Sequence, residues 1–294
     1  MIILLTLDGD VIPWESNCML NALFFSRAHA GCKIVWVDSG GYQAMRHGVI
    51  PPVYSVIGVY KRVEADAYIA PDVPPLPSDP PEVAEKKMEA SYVRYVEASR
   101  HVEVVPVVHF YRDVRLTLRY LRRYLDHSPP RLAVGAAVPY LFSRAPGRRR
   151  LYAFLRELRR EYRGHIHVLG AGAPSVIARL AALGVDSTDS ATWRLKAAYG
   201  KVILPGGGER HVTNRAKKFG GKTATEEELE ALYSFLKETG FPALDGFYER
   251  IRTSFKYRAL VNAWVIQYSL SRDQPHAANT SSSGAGSGGD SSGD

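Results

Sequence analysis

Three aspartates, each directly after a run that reads as a buried strand, are the residues best placed to do chemistry: Asp38, Asp72 and Asp189. The first closes Val35-Trp36-Val37 and leads into Ser39-Gly40-Gly41-Tyr42-Gln43. Paired glycines permit a sharp turn and a close backbone approach to a flat ligand, because no Cβ intervenes. The second follows Ala67 to Pro71 and precedes Val73-Pro74-Pro75; the third lies in Asp186-Ser187-Thr188-Asp189-Ser190. A single strand-end aspartate is ordinarily a solvated turn residue. Three that converge repel one another unless they do chemistry or hold a cation. A metal would normally recruit histidine or a further carboxylate at helical spacing, and neither is found. His165 and His167 share one face of a strand but lack a third ligand, so no metal is expected. Covalent displacement at an anomeric carbon suits the acids better, one attacking the sugar and another managing the proton on the leaving group.

The elements that must position these acids alternate along the chain. Strands are expected at Met1 to Leu7, 34–38, Ala67 to Pro71, Val104 to His109, Leu132 to Val138, His165 to Leu169 and just before the 186–190 turn. Between them, helices are expected over 18–30 (closed by Gly31), 53–65, 83–100, 113–126, 148–162, 175–183 and 191–198. Repeated strand–helix units with short loops imply parallel pairing and right-handed crossovers. Seven or eight such units in 294 residues predict an α/β fold, a TIM-type (β/α)8 barrel with a C-terminal helical extension. Strand-end residues of such a barrel share one rim. An open doubly wound sheet is the competitor, but the Gly170-Ala-Gly172 turn lacks the third glycine and the acidic partner of a dinucleotide fingerprint.

After residue 200 the rhythm breaks. Gly206-Gly207-Gly208 and the basic residues Arg210, Arg215, Lys217, Lys218 and Lys222 read as an irregular insertion over 201–224. Helices resume at 225–239 and 253–271. The barrel domain is expected over 1–272, and the Ser/Gly-rich 273–294 reads as a disordered tail. A formal charge of +8 and a pI near 9.4 favour an anionic partner, nucleic acid first. The arginine row Arg115, Arg119 and Arg122 reads instead as a solvated helix face. No apolar run is long enough to span a bilayer, so no membrane partner is expected. Cys18 and Cys32 are too few for a disulfide framework or a cysteine-rich zinc site, and a reducing cytoplasm is the expected location.

The stretch Asp38-Ser-Gly-Gly-Tyr-Gln resembles the D-S-G-G-[F/Y]-Q signature of the tRNA-guanine transglycosylases, their archaeal branch in particular. The resemblance continues in order through Asp72-Val-Pro-Pro, Gly135-Ala-Ala-Val-Pro, Leu169-Gly-Ala-Gly-Ala-Pro and Gly184-Val-Asp-Ser-Thr-Asp189-Ser-Ala-Thr-Trp. It covers roughly residues 30 to 200, with a weaker echo at Arg258-Ala-Leu-Val-Asn-Ala-Trp. It implies that Asp189 attacks C1′ of the target nucleoside and expels guanine, while Asp38 is the general acid/base. It further implies that Asp72 reads the polar edge of the purine, with Ser39, Gly40 and the backbone of Gly135, Ala136 and Ala137 lining the base pocket and Tyr42 stacking on the base. No cofactor is implied. Arg210, Arg215, Lys217, Lys218 and Lys222 would then contact the nucleic-acid backbone.

Three departures from the family bear on the substrate. The tRNA enzymes carry a zinc knuckle of three cysteines and one histidine, whereas this chain has no cysteine beyond Cys32, and Val261 occupies the histidine slot. His109 stands where a base-binding glutamine is usual. An RNA-binding domain after the barrel, usual in the archaeal tRNA enzymes, is not expected from these residues. A zinc-free barrel with its carboxylates in place resembles the DNA-acting branch, the deoxypurine-in-DNA protein A group, which implies exchange of guanine in DNA for a 7-deazaguanine such as preQ0. Transfer RNA is the alternative polymer, and a non-catalytic nucleic-acid-binding subunit the alternative role. Helper proteins and a homodimer are left open.

Overall fold

In the computed structural model the described residues are 1–7, 12–24, 31–143, 145–213 and 221–268. Eight strands pair in parallel: β1 (Ile2–Leu7), β2 (Ser16–Asn21), β3 (Cys32–Asp38), β4 (Ala67–Tyr68), β5 (Val107–His109), β6 (Arg131–Gly135), β7 (His165–Val168) and β8 (Ser187–Ser190). Their spatial order is β4-β3-β2-β1-β8-β7-β6-β5, so each strand lies beside its neighbours in sequence and β8 returns to β1. The two end strands meet through a parallel bridge between Ile69 and Val105, with Ala70 N–H donating to Val105 O and Val105 N–H to Tyr68 O. The sheet thereby curls into the TIM-like α/β barrel that the strand–helix rhythm predicts.

Side chains alternate across each strand and sort into two layers. Leu4, Met19, Trp36, Ala67, Ile69, Val105, Val107 and Ala133 form one buried cluster, the barrel interior. The intervening positions, such as Leu5, Leu20, Val37, Val108, Leu132 and Ile166, belong to the larger core under the helices. Those helices are α1 (Gly41–Arg46), α2 (Val53–Tyr60), α3 (Pro81–Ser99), α4 (Val114–Leu125), α5 (Val138–Leu141), α6 (Ala145–Glu161), α7 (Pro174–Ala182) and α8 (Thr192–Ala198). On α4, Leu116, Tyr120, Leu121 and Tyr124 are buried while Arg115, Arg119 and Arg122 are exposed. Arg119 pairs with Glu85 of α3.

Three expectations are corrected. The helix over 18–30 is not formed at its start: 16–21 is β2, and Ala22–Phe24 makes one 3-10 turn, while 25–30 lie outside the described residues. Cys-Met-Leu-Asn is a short apolar run that fits either period, and hydrogen bonds to β1 on one side and β3 on the other decide the outcome. Second, the start of the 201–224 insertion is regular: β9 (Lys201–Ile203) and β10 (Glu209–His211) form an antiparallel hairpin around the glycine turn. Third, Cys18 and Cys32 are joined in a disulfide that links β2 to β3. The cysteine count therefore gives no argument for a reducing compartment. Among the described residues no helix is long and apolar enough to cross a membrane. Residues 269–294, which include the expected tail, lie outside the described residues.

The C-terminal extension comprises α9 (Glu226–Glu238), α10 (Phe247–Thr253) and α11 (Phe255–Tyr268). Thr225 and Glu228 form a reciprocal capping box at the start of α9. Asn262 of α11, fully buried, fastens the extension to the barrel. Its Oδ1 accepts from Ile203 N–H at 2.7 Å, and its Nδ2 donates to Trp193 O and Lys201 O at 3.1 Å each. Removing that amide strands a buried N–H and two carbonyls. Asn262→Ala is expected to lower unfolding free energy by about 3 kcal/mol, read from urea denaturation. A loss under about 1 kcal/mol would show that the amide is not what joins these elements.

Candidate active site

β3 ends in a turn that only glycine can make. Gly40 has φ of +79°, and a Cβ there would lie 2.8 Å from Asn21 Oδ1 and closer still to the Leu23 side chain. Its N–H donates to Asp38 Oδ2 at 3.1 Å, fixing the carboxylate at the strand end. A Cβ on Gly41 would stand 2.0 Å from Asp72 Oδ1. The glycine pair thus lets the β3 loop lie directly on the second acid, and Ser39 Oγ completes the contact by donating to Asp72 Oδ1 at 3.1 Å. Tyr42, at the start of α1, is 55 % exposed.

Asp72 is buried and approached from below by His109 of β5. His109 Nε2 lies 3.4 Å from Asp72 Oδ2 and 3.2 Å from Ser91 Oγ of α3. Burial holds the imidazole down at about 3, so it is neutral and the contact with Asp72 is not an ion pair. His109 Nδ1 is buried without a hydrogen-bond partner, facing Gly135, where a Cβ would come within 2.6 Å of it. Gly135 therefore gives the imidazole its space. The next residue, Ala136, has φ of +53°, a left-handed conformation that costs a non-glycine residue about 1 kcal/mol. Ala137 O then accepts from Tyr140 and Leu141 N–H and starts α5.

Asp189, on β8, is held by three donors. Thr6 Oγ1 of β1 donates to Oδ2 at 3.0 Å, Gly170 N–H to Oδ1 at 2.7 Å, and His167 Nε2 lies 3.2 Å from Oδ1. A sequence reading misses Thr6, Gly170 and His167 in this role. The available signal is polarity at inward positions of otherwise apolar strands, Thr6 in Met1 to Leu7 and His167 in β7.

The three acids act on one another. Burial, then the charges of Asp72 and Asp189, push Asp38 up from the usual carboxylate range to about 8. The side chain keeps some surface at the mouth, but the two neighbouring acids reinforce the direction. Burial raises Asp72 to about 6, against the pull of the Ser39 hydrogen bond and the Arg94 guanidinium of α3. The barrel mouth thus gathers Asp38, Ser39, Gly40, Asp72, His109 and Asp189, with the Gly135–Ala137 turn at the end of β6 on the same side. Of the basic residues expected to touch a polymer, Arg210 is clasped by Glu228, its Nε 2.8 and 2.9 Å from the two carboxylate oxygens. Lys222 is exposed, and Arg215, Lys217 and Lys218 lie outside the described residues. Among the described residues no group of histidine, cysteine or acidic side chains is placed to hold a metal ion: both cysteines are joined in the β2–β3 disulfide, and Val261 is buried in α11.

Fold and site together define a parallel β/α barrel with a carboxylate cluster at the carboxyl ends of its strands. No family model matches the chain. It is 28 % identical over 243 residues to "Uncharacterized protein 306" of Sulfolobus islandicus rod-shaped virus 1, covering 79 % of this chain and 70 % of that one. It is 28 % identical over 193 residues to the tRNA-guanine(15) transglycosylase of Pyrococcus furiosus, and 27 % over 181 residues to that of Sulfolobus acidocaldarius. These matches take in 60 % and 56 % of this chain but only 31 % and 35 % of the two enzymes. The chain thus spans about a third of the length of the transglycosylases it resembles. The similarity supports the transglycosylase superfamily.

An acid that keeps its proton when folded favours the native state at low pH. Asp38 contributes fully below about 4, and its contribution is lost as pH rises toward about 8. Asp38→Asn removes that loss. The variant is expected to gain on wild type from pH 5 to pH 9 in urea unfolding, by more than about 1 kcal/mol at the upper end. Parallel stability curves for the two proteins would remove the crowding of the three acids.

Proposed function

We propose that the protein is a guanine transglycosylase that exchanges guanine in a polynucleotide, DNA before tRNA, for a 7-deazaguanine such as preQ0. The observation that carries this reading is the pairing of Asp38, held protonated at neutral pH, with Asp189, held by three donors across the same mouth. Two neighbouring carboxyl groups in different environments can divide acid and nucleophile between them. In the first half-reaction an oxygen of Asp189 bonds to C1′ of the target nucleoside. The C1′–base bond breaks, its electron pair leaves with guanine, and Asp38 supplies the proton. The glycosyl ester on Asp189 then meets the incoming base, which gives a proton to Asp38 and displaces the carboxylate from C1′. Two inversions retain the β-configuration.

Asp72 reads the polar purine edge, with Ser39 and neutral His109 fixing its orientation. The backbone of Gly40 and of Gly135, Ala136 and Ala137 lines the pocket, and Tyr42 supplies a ring at the rim. The target base must leave its stack to enter. Support for a polyanion comes from the net charge and from Arg148, Arg149 and Arg150, all exposed in the first turns of α6, the second helix after the Gly135–Ala137 turn. Preference for DNA rests on the missing zinc ligands, while His109 in place of a glutamine bears on which base is read. Transfer RNA is the second reading, favoured by the names of the archaeal relatives.

Incubation with duplex DNA and with tRNA, each carrying labelled guanine, is expected to release label from DNA and to lose about 10³-fold or more in rate on Asp189→Ala. Release from tRNA alone reverses the order of substrates, and undiminished release by the variant removes Asp189 as nucleophile. Guanine release should also decline as pH rises through about 8, where Asp38 loses the proton it must donate. A single-turnover rate still rising at pH 9 would exclude Asp38 as the acid.

A further inference from the structure

A line of polar side chains crosses the barrel interior beside its apolar cluster. His165 and His167 of β7 and Ser187 of β8 project into it, and burial of polar groups in such a core is costly unless they bond to one another. They do: His165 Nε2 lies 2.6 Å from Ser187 Oγ, Ser187 Oγ lies 2.7 Å from His167 Nδ1, and His167 Nε2 lies 3.2 Å from Asp189 Oδ1. The indole of Trp36 packs against both imidazoles, with ring centroids 5.5 and 4.8 Å away. The line begins at the opposite mouth, where half-buried His165 borders a cavity of about 490 Å³ with Met1, Ile2, Arg159 and Asp186.

A carboxylate only accepts hydrogen bonds, so with each ring as a single neutral tautomer every direction in the chain follows. His167 donates from Nε2 to Asp189, and its Nδ1 then accepts from the Ser187 hydroxyl. That hydroxyl oxygen in turn accepts from His165 Nε2–H. One such tautomer of each ring satisfies all three contacts. Among the described residues Oδ1 of Asp189 thus receives His167 and Gly170, while Oδ2 receives Thr6.

From this we infer that His167 is a positioning residue. Backed by Ser187 and His165, it locks Oδ1 of Asp189 and presents Oδ2 as the oxygen that bonds to C1′. The inference rests on the transglycosylase reading for its chemistry but not for its geometry. When the glycosyl ester forms, Oδ1 becomes its carbonyl oxygen. When the second base arrives, the C1′–Oδ2 bond breaks, its electron pair returns to the carboxylate, and the Nε2–H of His167 again meets a charged acceptor.

The test uses His167→Phe, His167→Gln and Ser187→Ala in the full-length protein. His167→Phe keeps a ring against Trp36 but loses the donor, and is expected to lower kcat of base exchange about 10²-fold while KM for the polynucleotide stays within about threefold. His167→Gln can place its amide N–H near Nε2 and is expected to recover most of that loss. Ser187→Ala should lower kcat by about tenfold and add little to His167→Phe in the double variant, because both break one chain. Crystal structures of wild type and His167→Phe should show the Asp189 carboxylate rotated in the variant. Wild-type kcat in folded His167→Phe, an unmoved Asp189 or no recovery in His167→Gln would overturn the inference. If His167→Phe does not fold, Ser187→Ala and His167→Gln carry the same decision. If wild type exchanges no base in any polynucleotide, the transglycosylase reading fails, and the position of Asp189 in the variant structures alone decides the positioning role.

Discussion

Loss of water around three neighbouring carboxyl groups, and then their mutual repulsion, is the constraint around which the barrel mouth is built. Two unit charges about 4 Å apart at an effective dielectric near 20 repel by roughly 4 kcal/mol, and a third acid adds to the load. The fold relieves it differently at each position. Asp38 keeps its proton, Asp72 receives the Ser39 hydroxyl and the charge of Arg94, and Asp189 is ringed by Thr6, Gly170 and His167. Three chemically identical side chains thereby sit in three different environments, the condition under which one pocket can divide the work of acid and nucleophile. The two glycines after Asp38 belong to the same solution. A side chain at Gly41 would displace Asp72 and undo the arrangement.

Bringing the acids together is a matter of register. Because side chains alternate strictly along a strand, a one-residue slip of β8 against β1 would turn Asp189 out of the barrel and toward the helix layer. The register that places Leu4 opposite Asp189 and Ile2 opposite Ser187 is set by the apolar positions between them. Hydrophobic burial thus chooses which face each acid occupies, and the electrostatic cost is met afterwards by local donors. The strained Ala136 sits at the same mouth, consistent with strain concentrating where a backbone is shaped for a ligand rather than for stability.

What could be read from the chain alone follows this division. Strands with unbroken apolar runs, such as Ile34 to Val37 and Leu132 to Val134, and helices with full apolar stripes are plain, because burial on one face dictates their period. The barrel and the three strand-end acids follow from that rhythm. β2 is hidden because Cys18-Met19-Leu20 fits a helix as well as a strand, and only the neighbours on both sides choose between them. The β9–β10 hairpin is hidden by its charge: Lys201 and Glu209 pair with each other, and Arg210 pairs with Glu228. Opposite charges distant in sequence look solvated until the fold places them in contact. For the same reason the formal charge overstates how much of this segment is open to a polyanion. The disulfide depends on a Cys18–Cys32 approach set by β2 pairing with β3, so it cannot be read before β2 is. His165 and His167 are visible as a pair, but a metal is the natural first thought for two histidines on one face. Ser187, which makes them a hydrogen-bonded line instead, comes from another strand.

The extension is fastened to the barrel by side chains that hydrogen-bond to the main chain in a largely buried joint. Asn262 bridges Trp193, Lys201 and Ile203, and Arg258 donates to the carbonyls of Ala197, Ile251 and Arg252. Each bond adds little net stability in water, but each is expensive to break once water is excluded. Val261, Val265 and Ile266 on the same helix supply that exclusion by burying completely. The polar contacts therefore give the joint its geometry and the apolar ones its strength. The joint meets β9 and α8 directly after the strand that carries Asp189, whereas the contacts that hold that acid, from Thr6, Gly170 and His167, all belong to the barrel.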